Sequence, residues 1–186
     1  AGAPRLGGRR AMLFRNGTHM VDVIVFFAES DPEWAFAELE EGFDYFTEYK
    51  SDGGHDPSTD PGASAYIHFA NGVRAFYNGV KVPMPGSQFE LTFDHGRMEV
   101  SDRGLTLVRG VSHYEWSYSN IVAGDYMFSF QAAAVAELIS ALETGRPLVS
   151  TGREARKTLE IMLGMLKSHQ LGNVRVNLPV SQPATV

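Results

Sequence analysis

Cysteine is absent from these 186 residues, which removes disulfides and thiolate metal sites and leaves the redox compartment unread. No apolar run approaches the ~20 residues of a membrane span, and no signal peptide is recognisable. A cytoplasmic location is therefore the default expectation. Positive charge is the minority: 16 Lys and Arg against 22 Asp and Glu give a net charge of −6 and a pI near 5.5. That balance argues against a nucleic-acid or anionic-membrane partner. Phosphate-cradling glycine turns are missing too. No Gly-x-Gly-x-x-Gly occurs, and Gly7-Gly8 follows no strand-like run and precedes two arginines, the wrong context for a dinucleotide turn. Neither a Gly-x-Ser-x-Gly elbow nor a metal-binding helix pair is present, which makes a hydrolase a poor reading. No internal repeat is visible.

What is present suffices for one domain: 44% hydrophobic content over this length can fill one sizeable core. Charge is unevenly placed. Arg5, Arg9, Arg10 and Arg15 crowd the beginning, while Glu29, Asp31, Glu33, Glu38, Glu40 and Glu41 follow the first helix-like segment. Such arginines suit a carboxylate or phosphate on a substrate or cofactor, or else form a solvated arm.

Residues 1–16 read as an irregular N-terminal arm, 17–180 as a single α+β domain and 181–186 as a tail. A first helix is expected from Thr18 to about Ala28, stopped by Asp31-Pro32. Alternation over residues 33–40 predicts a half-buried strand; the segment with Phe43, Tyr45 and Tyr49 is ambiguous. Residues 51–62 are dense in turn formers and suit a mobile loop over a pocket. Its Asp52, His55, Asp56 and Asp60 match no EF-hand spacing, so no metal is expected. Two alternating runs joined by Asn71-Gly72 predict a hairpin with a two-residue turn, and His68 in its first strand reads as a satisfied sheet histidine. Further turns at Asp94-His95-Gly96 and Asp102-Arg103-Gly104, then alternating Tyr114, Trp116 and Tyr118, extend a meander.

Two more helices follow. Residues 131–142 place Val135, Leu138, Ile139 and Leu142 on one face, closed by Gly145 and Pro147. Thr151-Gly152-Arg153-Glu154 reads as a capping box opening a helix that buries Leu159, Met162, Leu163 and Leu166 and ends near Gly172. The expected fold is α+β: a largely antiparallel (mixed) open β-sheet with helices packed on one face. The other face, carrying Tyr66, His68, Phe76 or their alternates, is left for oligomerisation.

Chemistry is concentrated in Leu13-Phe14-Arg15-Asn16-Gly17-Thr18-His19-Met20-Val21-Asp22. A polar turn delivers His19 onto the first turn of an apolar helix, with Asp22 and Phe26 on the same face. Asn16 or Thr18 is the expected N-cap. A helix N-terminus favours neutral imidazole, and a neutral histidine can take a proton, as a general base must. The plain alternative is a histidine that only hydrogen-bonds a neighbouring element.

Gly17-Thr18-His19-Met20-Val21-Asp22 resembles the Gly-x-His-x-x-Asp helix that opens the C-terminal domain of the glucose-fructose oxidoreductase / inositol dehydrogenase / MocA family. Residues 131–142 with Gly145-Arg146-Pro147 resemble that family's late helix and its Gly-x-Pro exit, 154–168 its last helix, and 174–179 its closing strand. The resemblance implies an NAD(P)-dependent oxidoreductase acting on a sugar, cyclitol or related hydroxy compound. It also implies that the N-terminal Rossmann domain is absent, since neither its glycine turn nor its Glu-Lys-Pro motif occurs here. On this resemblance His19 is the catalytic base or proton relay, and Arg15, Asn16 and Asp22 are substrate contacts. Arg15 stands where many members carry aspartate, a sign reversal that suits an anionic substrate or an ion pair with Asp22. Asp22 also suits a structural use, orienting His19 or capping the helix. NAD or NADP is expected in an intact parent enzyme, and none bound by this chain alone, whose cofactor-binding residues are unknown; the chain alone is expected to be inactive. The partners implied are a small-molecule substrate, a second copy through the open sheet face, and a separate or deleted Rossmann domain. The alternative is a stand-alone, non-catalytic ligand-binding or assembly module of the same fold.

Overall fold

The computed structural model describes residues 13–40, 61–79, 88–101, 104–122 and 130–180. The arginines of residues 1–12, Phe43, Tyr45 and Tyr49, the Asp/His loop over 51–60, the Asp102-Arg103 turn and the tail 181–186 lie outside the described residues, as does the side chain of Arg15. The chain divides into two compact units, Ala1–Pro83 with Ser150–Val186 and Met84–Val149. Each is an antiparallel four-stranded sheet with helix, so the α+β expectation holds, with the strands shared between two sheets.

In the first unit a π-helical turn, Leu13–Gly17, runs straight into α1, Thr18–Ala28. The irregular arm expected through residue 16 is thus ordered from Leu13, which is fully buried and whose N–H donates to the Pro61 carbonyl (3.2 Å). Helix α1 ends at Glu29, a left-handed residue (φ 48°) whose N–H bonds back to the Val25 carbonyl. Strand β1 (Pro32–Leu39) opens on proline, a position where the missing N–H costs no ladder bond. It pairs with β2 (Ala63–Phe69), and β2 with β3 (Arg74–Gly79). The short β8 (Val176–Asn177) pairs with the other edge of β1 at Trp34 and Ala35, giving the order β3-β2-β1-β8.

The β2–β3 connection corrects the expected two-residue turn. Phe69 N–H reaches the Val73 carbonyl (3.0 Å) and Gly72 N–H the Phe69 carbonyl (2.9 Å), which leaves a three-residue loop, Ala70-Asn71-Gly72. Only Gly72 is left-handed (φ 86°), because Asn71 is used differently. Its Nδ2 donates to the Ala28 carbonyl (2.9 Å), its N–H donates to Ser30 Oγ (3.2 Å), and its Oδ1 accepts from Val73 N–H (3.2 Å). The hairpin tip is thereby fastened to the end of α1.

Strand alternation sorts the side chains into two faces. Ala35, Ala37, Leu39, Ala63, Ala65, Ile67 and Phe69 point to the buried side. The alanines leave room for α1 and for α3 (Gly152–Gln170), which packs on β1 and against α1. Val21, Val25 and Ala28 of α1 meet Ile161, Met162, Met165 and Leu166 of α3 in this core. Burying Phe69, Ile67, Ile161 and Met165 contributes roughly 1.5–3 kcal/mol apiece. Met162 and Leu166 are buried as expected, but Leu159 and Leu163 are half exposed, because the buried stripe of α3 runs through Thr158, Ile161, Met165 and Ser168 instead.

Helix α3 starts as anticipated, with Thr151 Oγ1 accepting from Glu154 N–H (3.3 Å). The Glu154 carboxylate turns to Lys157 (3.1 Å), whose ammonium also holds Asp31 (2.9 Å). The far end of α3 completes the β1 edge where β8 stops. Fully buried Ser168 takes the Ala37 N–H on Oγ (2.9 Å) and donates to the Val174 carbonyl (2.6 Å), and His169 Nδ1 takes the Leu39 N–H (3.3 Å). The helix ends at Gln170 with Leu171 as cap and Gly172 left-handed (φ 87°).

The second unit is the meander β4 (Gln88–Phe93), β5 (Gly96–Ser101), β6 (Gly104–Ser112) and β7 (Glu115–Ile121), followed by α2 (Phe130–Thr144). Phe89, Leu91, Met98, Val100, Leu105 and Leu107 share one face; Glu90, Thr92, Arg97, Glu99, Thr106, Tyr118 and Trp116 share the other. Tyr114 falls in the β6–β7 turn, outside the expected alternation. Gly145, left-handed at φ 71°, closes α2 as expected. The Val135, Leu138, Ile139 and Leu142 face of α2 is exposed among the described residues.

Candidate functional site

His19 stands on the first turn of α1, exposed, with no hydrogen-bond partner among the described residues. The helix geometry explains why. Val21, Val25 and Ala28 turn inward, which leaves His19 and Phe26 exposed, with Asp22 on the same helical face but half-buried. The predicted grouping of these three is therefore present, and the imidazole is not sealed in the core.

The predicted capping is not present. The residue before α1, Gly17, is itself right-handed helical (φ −63°, ψ −31°), and no side chain caps the helix. Because the π-helical turn feeds directly into α1, the N–H groups of the first turn have carbonyls behind them rather than an open end. Thr18 consequently does not cap; its Oγ1 donates back to the Phe14 carbonyl (2.6 Å) and lies 3.5 Å from Met162 Sδ. Asn16 is exposed on the π-helical turn, one turn before His19.

Asp22 is half-buried, and its Oδ1 accepts a hydrogen bond from Thr158 Oγ1 on α3 (2.9 Å). It neither caps α1 nor bonds His19 in this geometry. Its carboxylate instead fixes the rotation of α1 against α3, and with it the direction in which His19 points. Thr158 was invisible as a partner in a motif reading confined to residues 13–22. The signal that could have found it is a hydroxyl inside an apolar helical stripe at 158, 161, 162, 165, since a buried polar group demands a partner.

A second feature is the open face of β3-β2-β1-β8. Trp34 stacks on Tyr66 (5.0 Å) and on His68 (5.1 Å), Phe36 stacks on Tyr66 (5.7 Å), and Phe76 meets Tyr66 edge-on (5.1 Å). Arg175 covers the Trp34 ring at 4.3 Å. His68 Nδ1 is 3.3 Å from Glu33 Oε2, close enough for an ion pair without the alignment of a hydrogen bond. This is a ring platform in which Phe36 is 44% and Phe76 79% exposed. Tyr66, His68 and Phe76 lie there as the alternation required.

A groove in the second unit, lined by residues of β4–β7, includes none of His19, Asn16 or Asp22. No cluster of three or more His, Asp or Glu able to hold a metal occurs among the described residues, and no helix among them is long and apolar enough to cross a membrane.

No family model matches the sequence, and no curated protein matches it. Solved structures do. An NAD binding oxidoreductase from Klebsiella pneumoniae is similar with a TM-score of 0.69 at 10% identity, over 94% of this chain and 51% of that one. Aldose-aldose oxidoreductase from Caulobacter crescentus, complexed with glycerol, gives 0.66 at 16% identity over 96% and 52%. The WlbA dehydrogenase from Bordetella pertussis, in complex with NADH and UDP-GlcNAcA, gives 0.59 at 14% over 92% and 47%. The chain thus spans about half the length of the structures it matches. At these identities the likeness establishes architecture alone: the fold of this chain is similar to about half of each of these oxidoreductase structures.

Proposed function

We propose that this chain is the substrate-binding and oligomerisation part of an NAD(P)-dependent oxidoreductase acting on a sugar, a cyclitol or a related hydroxy compound. The observation that carries the reading is the match of more than nine-tenths of the chain to about half of such enzymes, with His19 exposed on its first helix. Dehydrogenation of an alcohol requires the hydroxyl proton to leave as hydride departs from the same carbon, and a base within hydrogen-bond reach lowers that barrier. The nicotinamide supplies hydride acceptance; no pyrophosphate-binding glycine turn occurs in this sequence, so a part outside it holds the dinucleotide. His19 takes the proton on its imidazole nitrogen. Asn16, exposed one turn away, donates and accepts to a substrate hydroxyl, and Arg15 favours a substrate bearing a carboxylate or phosphate. Asp22 acts as a positioning residue through Thr158.

Without the dinucleotide-binding part, the positioning that contributes several kcal/mol to such a reaction is lost. The purified chain should therefore show no turnover with NAD or NADP against a panel of polyols and aldonic acids, and robust turnover would overturn the reading. The ring platform of Trp34, Phe36, Tyr66 and Phe76 supports homo-oligomerisation through that face, since exposed aromatic area of this kind is costly to leave in water. A second reading, a stand-alone binding or assembly module, draws on Arg15, which reverses the charge expected before a catalytic histidine. The coding sequence upstream of residue 1 separates them: a Rossmann-coding stretch supports the enzyme part, and a start codon supports the module.

A further inference from the structure

We propose that the polar face of β4–β7 is a binding groove for a neutral saccharide. The groove measures about 700 Å³, within the range of small-molecule sites, and is built entirely from the 84–149 unit. Its floor is aromatic: Trp116 is 54% and Tyr118 68% exposed, adjacent on the same face of β7. Directly across the ladder from Trp116 stands Gly110. Gly110 borders the register shift of the β6–β7 ladder, yet its φ is not in the left-handed range and an added Cβ would meet its neighbours at ordinary distances, Trp116 Cζ3 at 3.6 Å and the His95 carbonyl at 3.9 Å, so the backbone there accepts a side chain. What the missing side chain does is leave the flank of the indole bare.

Polar groups rim this floor. Across the ladder from Tyr118 come Val108, Arg97 and Thr92 in turn, with Glu90 one pair further along the same face. The Arg97 guanidinium is held by Glu99 (2.9 Å) and lies 4.0 Å from Glu90, so its charge is already balanced. Arg97 is the one Arg or Lys among the described residues that line the groove, beside His95 and His113 at its rim, so no unpaired guanidinium or ammonium faces a phosphate or carboxylate there. The groove offers ring faces to the apolar C–H face of a pyranose and planar, paired donors and acceptors to its neighbouring hydroxyls. A neutral saccharide presents both in one molecule. The site uses none of His19, Arg15, Asn16 or Asp22, so it stands or falls separately from the proposed oxidoreductase role.

The test follows the indole N–H resonances of the full chain in ¹H–¹⁵N spectra, with Trp34 as the internal reference, during titration with glucose, cellobiose and glucose 6-phosphate to ~50 mM, the weak end of specific binding. The expected result is a saturable shift of the Trp116 signal with glucose or cellobiose while Trp34 stays put. Gly110→Val should weaken that binding by ~10-fold or more with the melting midpoint preserved, since valine suits a strand and fills only the groove. The proposal is overturned if no neutral saccharide moves Trp116, or if Gly110→Val binds as the parent does. Glucose 6-phosphate binding as well as glucose overturns it too, as does a Trp116 shift that follows protein dilution instead of added sugar and so reports self-association.

Discussion

Replacing Ser168 by alanine removes one hydroxyl and takes a partner from two backbone groups. Its Oγ is the partner of the Ala37 N–H (2.9 Å) and the Val174 carbonyl (2.6 Å), and the residue is 0% exposed, so water cannot take its place without opening the α3–β1 contact. A buried backbone group left without a partner costs about 1–3 kcal/mol. The Ala37 N–H is such a group, whereas the Val174 carbonyl, on a residue 45% exposed, can turn to water, which puts Ser168→Ala at a loss of about 1–3 kcal/mol. At about 2–4 °C per kcal/mol for a chain of this size, the thermal midpoint should fall by roughly 2–12 °C. Thermal and urea unfolding followed by circular dichroism would measure it, with Ser119→Ala, an exposed hydroxyl, as the control expected within about 0.5 kcal/mol of the parent. A Ser168→Ala protein as stable as that control would refute the claim that the end of α3 completes the edge of β1.

The Asp31–Lys157 pair makes stability depend on pH at both extremes. The Lys157 hydrogen bond and charge hold the Asp31 carboxyl below its ordinary 3.8, and the Asp31 hydrogen bond holds the Lys157 ammonium above its ordinary 10.5. The Asp31 contribution is present above 3.8 and lost as acid takes the solution down through the lowered folded value; that of Lys157 is present below 10.5 and lost as pH rises through the raised one. The melting midpoints of the parent and Asp31→Asn should therefore differ most between these limits and converge outside them; a difference that ignores pH would contradict the pairing. Phe76→Glu, placed on the 79%-exposed ring of the first sheet, should convert an oligomer to a monomer by light scattering without lowering the thermal midpoint; a parent chain that is monomeric at high concentration would sink the oligomer reading.

Most of the architecture was legible because periodicity reports burial directly. The alternation of Ala35, Ala37 and Leu39 with Phe36 and Glu38, the glycine stops at 145 and 172, and the Thr151 cap all act through neighbours within a few residues. What escaped depended on partners far away in sequence. Asn71 has the residue type of a tight turn, yet its amide is drawn to Ala28, and the loop lengthens by one residue. Thr18 has the residue type of an N-cap, yet the π-helical turn before it leaves no open helix end to cap. Leu159 and Leu163 fit a helical stripe as well as Ile161 and Met165 do; which stripe faces β1 is settled by Thr158 reaching Asp22 and Ser168 reaching Ala37, across more than 130 residues. At the site, exposure of His19 followed from the face it shares with Phe26, whereas the anchoring of Asp22 by α3 had no local signature.

The most direct test of the central claim is nicotinamide reduction measured on two proteins: this chain alone, and the product of the same reading frame extended upstream to its start codon. The account predicts no reduction of NAD or NADP by the chain alone and polyol-dependent reduction by the extended protein, with His19→Ala in the latter lowering kcat by ~100-fold or more. Turnover by the isolated chain, or full activity without the imidazole of His19, would contradict it.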